Sequence, residues 1–229
     1  MIGIVVPAHN EEKLIEACLQ SLNMAALHPA LQGEPVEIIV VLDSCDDRTG
    51  HLARSLGAKT LDIQARNVGL ARQLGAQAML AAGARWLSFT DADSVVGPDW
   101  LVAQLAENAD AVCGTVEVID WEIYGLRMAR HFELTYDDAD GHHHIHGANL
   151  GVSADAYKTA GGFLNLETSE DCALVEALES TGARIAWSRK PRVTTSARPS
   201  FRAPGGFGAT LERIEKLREW VGFEDARAA

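Results

Sequence analysis

Arg85-Trp86-Leu87-Ser88-Phe89-Thr90-Asp91-Ala92-Asp93-Ser94 begins as a short apolar strand and ends on two carboxylates one residue apart. Alternate side chains of an extended backbone project to one side, so Asp91 and Asp93 can aim at a common point. Two like charges that close repel unless a cation or a pair of donors lies between them. Carboxylate oxygens suit hard Mg²⁺ or Mn²⁺, ions that commonly join a protein carboxylate to substrate phosphates. The tripeptide equally suits an Asp-rich turn ahead of a helix starting near Pro98, and its surroundings decide between the two.

Three strand–helix units precede it. Ile2 to Val6 is a β-branched-rich run closed by Pro7-Ala8-His9-Asn10, as expected of a strand buried on both faces of a parallel sheet. Glu11 and Glu12 open a helix with an apolar stripe of Leu14, Ile15, Cys18, Leu19 and Leu22, the early acids suiting its dipole. A second strand, Glu37 to Leu42, runs into the acidic cluster Asp43-Ser44-Cys45-Asp46-Asp47-Arg48-Thr49 ahead of another helix. A third strand near Lys59 to Leu61 is followed by Arg66-Asn67-Val68-Gly69 and an Ala-rich helix through Ala82. The alternation β-α-β-α-β-α-β predicts an α/β fold with a mostly parallel sheet and crossover helices. Ligands of such sheets sit outside the carboxyl ends of the strands, where this chain places His9-Asn10, Asp43, Arg66-Asn67 and Asp91-Asp93. The first turn lacks GxGxxG, which disfavours a standard nicotinamide-binding domain.

Downstream, Ala111 to Val118 reads as a strand and Trp121 to Tyr136 as a helix, followed by His142-His143-His144-Ile145-His146-Gly147-Ala148-Asn149. A helix from Asp155 to Ala160 stops at Gly161-Gly162. Ser169 caps a helix that carries Glu170 and Asp171 in its first turn and Ala173, Leu174, Ala177 and Leu178 on its apolar face. Arg184 to Trp187 and Arg192 to Thr195 read as two short strands. Ser196 to Gly208, rich in Arg, Pro and Gly, reads as a mobile loop before a C-terminal helix with Leu211, Ile214, Leu217 and Val221 on one face.

The chain's 229 residues, 47% hydrophobic and 23% charged, suit a globular domain with a full core. A net charge of −12 argues against nucleic acid or an anionic membrane surface as partner, since both need a basic footprint. Cys18, Cys45, Cys113 and Cys172 show no CxxC pairing, which suggests neither a zinc knuckle nor a disulfide framework and fits a reducing compartment. No basic leader precedes the first strand, and apolar runs such as Ile38 to Leu42 fall far short of a membrane span. A soluble, cytoplasmic protein is the expectation.

Together these stretches resemble the family 2 glycosyltransferases of the GT-A fold. The resemblance rests on Val5-Val6-Pro7-Ala8-His9-Asn10-Glu11-Glu12 at the first strand and on Asp43 to Thr49 after the second. In the latter, the family's first Asp, Gly and Ser are replaced. It continues through Asn67-Val68-Gly69-Leu70-Ala71-Arg72, Asp91-Ala92-Asp93, Gly147-Ala148-Asn149, Gly161-Gly162-Phe163 and Glu170-Asp171, in order, from about Ile4 to Trp187.

The resemblance implies a single GT-A domain over 1–229. Residues 1–115 would form the nucleotide-binding half, 116–195 the acceptor half, and 196–229 the loop and last helix. It implies that Pro7, Ala8, His9, Asn10, Glu12 and Asp43 hold the nucleotide of a UDP- or GDP-sugar, with Arg66 near its diphosphate or base. Asp91 would lie near the ribose or metal, and Asp93 would ligate Mg²⁺ or Mn²⁺. Gly147, Ala148, Asn149 and His146 would line the donor-sugar and acceptor pocket. Asp171, beside Glu170, would be the general base of an inverting transfer to an acceptor hydroxyl. Arg198 and Arg202 suit either a lid over the diphosphate or an ordinary charged surface loop. His142 to His146 could bind metal, line the acceptor cleft or lie in solvent. Two rival functions use the same fold. One is a sugar-nucleotide nucleotidyltransferase, although the first turn lacks a Gly-rich basic loop for a triphosphate. The other is a non-catalytic nucleotide-sugar or protein-binding module.

Overall fold

The computed structural model describes residues 1–197 and 207–217. Four parallel strands build its first half: β1 (Ile2–Ala8), β2 (Val36–Asp43), β3 (Lys59–Ile63) and β4 (Trp86–Phe89). They lie in the order β3-β2-β1-β4 and are joined by α1 (Ile15–Ala26), α2 (Thr49–Ser55) and α3 (Val68–Ala81). The period of two sends Ile2, Ile4, Val6, Val40 and Leu42 to one face, against α1. Val5, Ile39 and Val41 go to the other face, against Ala71, Ala76 and Met79 of α3. Burial on both faces explains why these strands read as unbroken apolar runs.

The second half comprises β5 (Val95–Val96), α4 (Trp100–Ala106), β6 (Ala111–Glu117), α5 (Gly125–Thr135), β7 (Leu150–Ser153), α6 (Ala154–Thr159), α7 (Glu170–Ser180), β8 (Ile185–Thr194) and α8 (Phe207–Leu217). These strands extend the same sheet as β4-β7-β6-β8-β5, eight strands in all among the described residues. β7 runs antiparallel to both β4 and β6, with Phe89 opposite Leu150. No helix of the described residues is long and apolar enough to cross a membrane.

Several expectations need correction. The two short strands at 184–187 and 192–195 are one strand, β8, whose pairing with β6 shifts between Gly114 and Thr115. The strand β7 has no periodic signature because it is only four residues long. The fifth helix starts at Gly125, not Trp121, where a positive φ of 75° breaks the run. The first helix starts at Ile15, so Glu11 and Glu12 precede it rather than filling its first turn. Ser169 has φ 59° and makes no side-chain cap. Leu211 and Ile214 of α8 pack on Val118, Met128 and Ala197. Leu217 is exposed, and Val221 lies outside the described residues.

Candidate active site

The carboxyl ends of β1, β2 and β4 open onto a cavity of about 1020 Å³. Pro7, Ala8, His9, Asn10, Asp43, Arg66, Asp91 and Asp93 line it from the parallel half, and His146, Gly147, Ala148, Glu170 and Asp171 from the second half. Of the six described non-glycine residues with positive φ, Asn10, Ser44, Arg66 and Ser169 stand at or beside this rim. Backbone held in sparsely populated conformations concentrates at functional sites.

Asp43 builds the nucleotide side. Its Oδ1 accepts the backbone N–H of Ala65 and Arg66, each at 2.8 Å, and its Oδ2 that of Asn67 at 2.7 Å. Burial opposes its charge, but these amides and the Ser44 hydroxyl outweigh it, leaving the carboxyl below its ordinary pKa. One carboxylate thereby shapes the turn that carries Arg66 and starts α3, where Asn67 caps Leu70 N–H at 2.8 Å. His9 Nδ1 reaches the Asp43 carbonyl at 2.6 Å, tying the end of β1 to that of β2. Glu12 is outside the lining, because Arg48 draws its carboxylate away through its backbone N–H and Nε, each at 3.2 Å.

Asp91 and Asp93 share the cavity wall but not through an extended backbone. Ser94 N–H closes a turn on the Asp91 carbonyl at 3.1 Å, and the turn buries Ala92 in the core while both carboxylates line the cavity. The two carboxylates then part in role. Asp91 Oδ1 binds Arg72 Nη2 at 2.5 Å. Asp93 Oδ1 lies 3.4 Å from Ser94 Oγ, itself 3.0 Å from Thr195 Oγ1. Among the described residues no three His, Cys, Asp or Glu side chains converge as a metal cage. A hard carboxylate at a cavity wall fits the other kind of site, in which one or two carboxylates hold an ion whose shell is completed by phosphates and water.

Arg72 closes the Asn67-to-Arg72 stretch, and the sequence alone assigns it no role of its own. It is 3% exposed and binds Asp91 on one side and Glu170 Oε1 on the other. Its sequence signal was its place in the stripe Arg72, Gly75, Ala76 and Met79, all buried on α3. A cation on a core-facing stripe demands an anion. Glu170, 4% exposed, is that anion, so the pair is a buried ion bridge and Glu170 is spent on it. The guanidinium also underlies Gly147, where a Cβ would meet Arg72 Cζ at 2.5 Å. Gly147 N–H in turn donates to Asp171 Oδ2 at 2.8 Å, while Cys172 N–H donates to Oδ1 at 2.8 Å. Asp171 thus sits in the first turn of α7 with its oxygens oriented by backbone amides and favoured by the helix dipole.

Asn149 does not face the cavity. It is 1% exposed, donates to the Thr115 and Pro191 carbonyls at 2.7 Å each, and accepts Trp100 Nε1 at 2.8 Å. It fastens β6 to β8 at their register shift. The histidines do not converge on a point either. His142, His144 and His146 pack ring against ring, 5.6 and 5.8 Å apart, and belong to no metal-holding group among the described residues. Tyr136, absent from the sequence candidates, stacks on His144 at 4.2 Å. Arg198 and Arg202 lie outside the described residues.

The chain is 37% identical over 68 residues to the 4,4'-diaponeurosporenoate glycosyltransferase of Staphylococcus haemolyticus, covering 30% of this chain and 16% of that protein. It is similar in fold to Staphylococcus aureus TarS in complex with UDP-GlcNAc, with TM-score 0.64, 17% identity, and 94% of this chain and 65% of that one covered. A mannosyltransferase from Pyrobaculum calidifontis in complex with GDP-Man and Mn²⁺ gives TM-score 0.65 and 16% identity, over 95% and 61%. At such identities the structural likeness shows the GT-A fold, and the chain spans less than two thirds of each of these proteins. The sequence profile of glycosyl transferase family 2 matches residues 3–161, and the chain belongs to that family.

Proposed function

We propose that the protein moves a sugar from a UDP- or GDP-sugar onto an acceptor hydroxyl, with inversion, using Mg²⁺ or Mn²⁺. The observation that carries this reading is that Asp171, its oxygens oriented by two backbone amides, lines the same cavity as Asp93. The nucleotide would lie along Pro7 to Asn10 and the turn shaped by Asp43, with Arg66 at the same wall. Asp93 would hold the ion, and Asp91, bound to Arg72, steadies the turn that presents it. An ion held there would supply the positive charge that offsets the leaving nucleoside diphosphate. Asp171 takes the proton of the acceptor hydroxyl as its oxygen bonds to the anomeric carbon and the bond to the diphosphate breaks. Similar structures holding a sugar nucleotide on this fold support the donor class.

The test is a thermal-shift series with UDP, GDP and their sugars, with and without Mn²⁺, on the native protein, Asp93→Ala and Asp171→Asn. A ligand that binds only the folded state raises the melting temperature. A Mn²⁺-dependent rise, lost in Asp93→Ala and kept in Asp171→Asn, is expected. Asp171→Asn should lower turnover by about 10²–10⁴. No rise with any nucleotide, or unimpaired turnover in Asp171→Asn, overturns the reading.

A further inference from the structure

The His142–His146 run is the motif for which the transfer chemistry has no use. Its place in the cavity gives it one. Tyr136, just past the end of α5, stacks face to face with Phe132 at 4.5 Å and 17°. It also packs against His144, at 4.2 Å and 7°, and against His146, at 5.9 Å and 28°, while His144 and His146 lie 5.8 Å and 25° apart, so the rings form a cluster. All four rings line the cavity that holds Asp171, and His146 immediately precedes the glycine whose amide orients that carboxylate. A hydroxyl that reaches Asp171 therefore arrives beside this ring cluster.

The cluster carries no charge near neutral pH, despite its composition. Tyr136 Oη accepts Val116 N–H at 2.8 Å and is hydrogen-bonded to His146 Nε2 at 3.0 Å. Burial, with His144 close by, pushes the His146 pKa down to about 4. Burial also lowers that of His144 and raises the Tyr136 phenol to about 12. The arginines among the described lining residues, Arg66 and Arg72, come from the parallel half, and Arg72 is bound to two carboxylates. The second half adds Glu167 beside Asp171. An anionic acceptor would meet carboxylates and neutral rings there. A flat apolar face would meet rings that bind such faces well.

We propose that Phe132, Tyr136, His144 and His146 form the acceptor subsite, and that it takes an uncharged hydroxyl compound with a flat apolar face. This rests on the transferase reading above. The shared chemistry could be supplied by a pyranose ring or by an aryl group attached to one.

The experiment uses the full chain with Mn²⁺ and UDP-glucose, UDP-GlcNAc or GDP-mannose, following nucleoside diphosphate release and product mass. The acceptors are methyl pyranosides, p-nitrophenyl pyranosides and sugar 6-phosphates. Transfer to uncharged pyranosides in preference to the phosphates is expected. Equal use of methyl and p-nitrophenyl glycosides assigns the face to the sugar ring, and use of the aryl glycosides alone assigns it to the aryl group. His144→Ala should raise the acceptor KM about tenfold, the scale of a lost ring contact, and His144→Phe should restore it. Preference for a sugar phosphate overturns the subsite, as does an acceptor KM no better in His144→Phe than in His144→Ala. Donor hydrolysis with no transfer to any uncharged acceptor overturns the subsite alone. No donor hydrolysis and no donor binding overturns the transferase reading and the subsite with it.

Discussion

At the scale of single residues, Arg72 has the widest reach. It touches Asp91, Glu170 and Gly147, so one guanidinium connects the turn beside the proposed ion to the loop that orients the proposed base. Its Nε has no partner, which makes the ion bridge its main compensation for burial. Removing one partner of a buried pair strands the other charge, at a cost of about 3–5 kcal/mol. Arg72→Met should destabilise the protein by that order in urea denaturation, and Arg72→Met with Glu170→Gln should recover much of the loss. A double variant no more stable than the single one would show that packing, not charge, sets the cost. The chain alone indicated that Asp43, Asp91 and Asp93 gather at one place, because carboxylates at strand ends stand out, and the family resemblance added Asp171. It did not show their partners. Asp43 answers to backbone amides more than twenty positions away, and Asn149 proved to be a fastener, because hydrogen-bond partners depend on tertiary packing.

At the scale of elements, the contact of α3 with the sheet is unusually close. A Cβ at Gly75 would meet Val5 Cγ1 at 2.4 Å and Val41 Cγ2 at 3.0 Å, and one at Gly3 would meet Met79 Cβ at 2.7 Å. Helix propensity says that Gly75→Ala should stabilise by about 1 kcal/mol. Overpacking against two β-branched side chains on fixed strands says that it should destabilise by about 1–3 kcal/mol. The second effect is the larger, so a lowered urea midpoint is expected; a raised one would mean that α3 can shift outward freely. The parallel strands were legible because burial on both faces leaves continuous apolar runs. The strand β7 was not, since four residues cannot display a period and its partners lie more than thirty positions away.

At the scale of the whole molecule, the pH response follows from His146. Its ordinary pKa of 6.5 falls to about 4 in the fold, so between those values the unfolded chain binds the proton first. The state with more bound protons gains as pH falls. Stability should therefore decline from about pH 6.5 toward pH 4, by at most about 3 kcal/mol. Urea midpoints at intervals across that range check this, with His146→Gln expected to flatten the slope. The lowered carboxyl of Asp43 acts differently: its stabilisation is present above the ordinary carboxyl range and disappears only in stronger acid.

The antiparallel insertion of β7 beside β4 has a consequence for biosynthesis. A nascent chain that has emerged only as far as residue 100 already carries β1 to β4 in full, but the outer edge of β4 waits for Leu150–Ser153. Trp86 to Phe89 are all buried in the finished protein, so an apolar, unpaired strand edge stays open while some fifty more residues leave the ribosome. Such edges template association with other chains. The interval before β7 docks is when this protein most depends on chaperones, and the step that ends it also sets the Gly147 loop against Arg72.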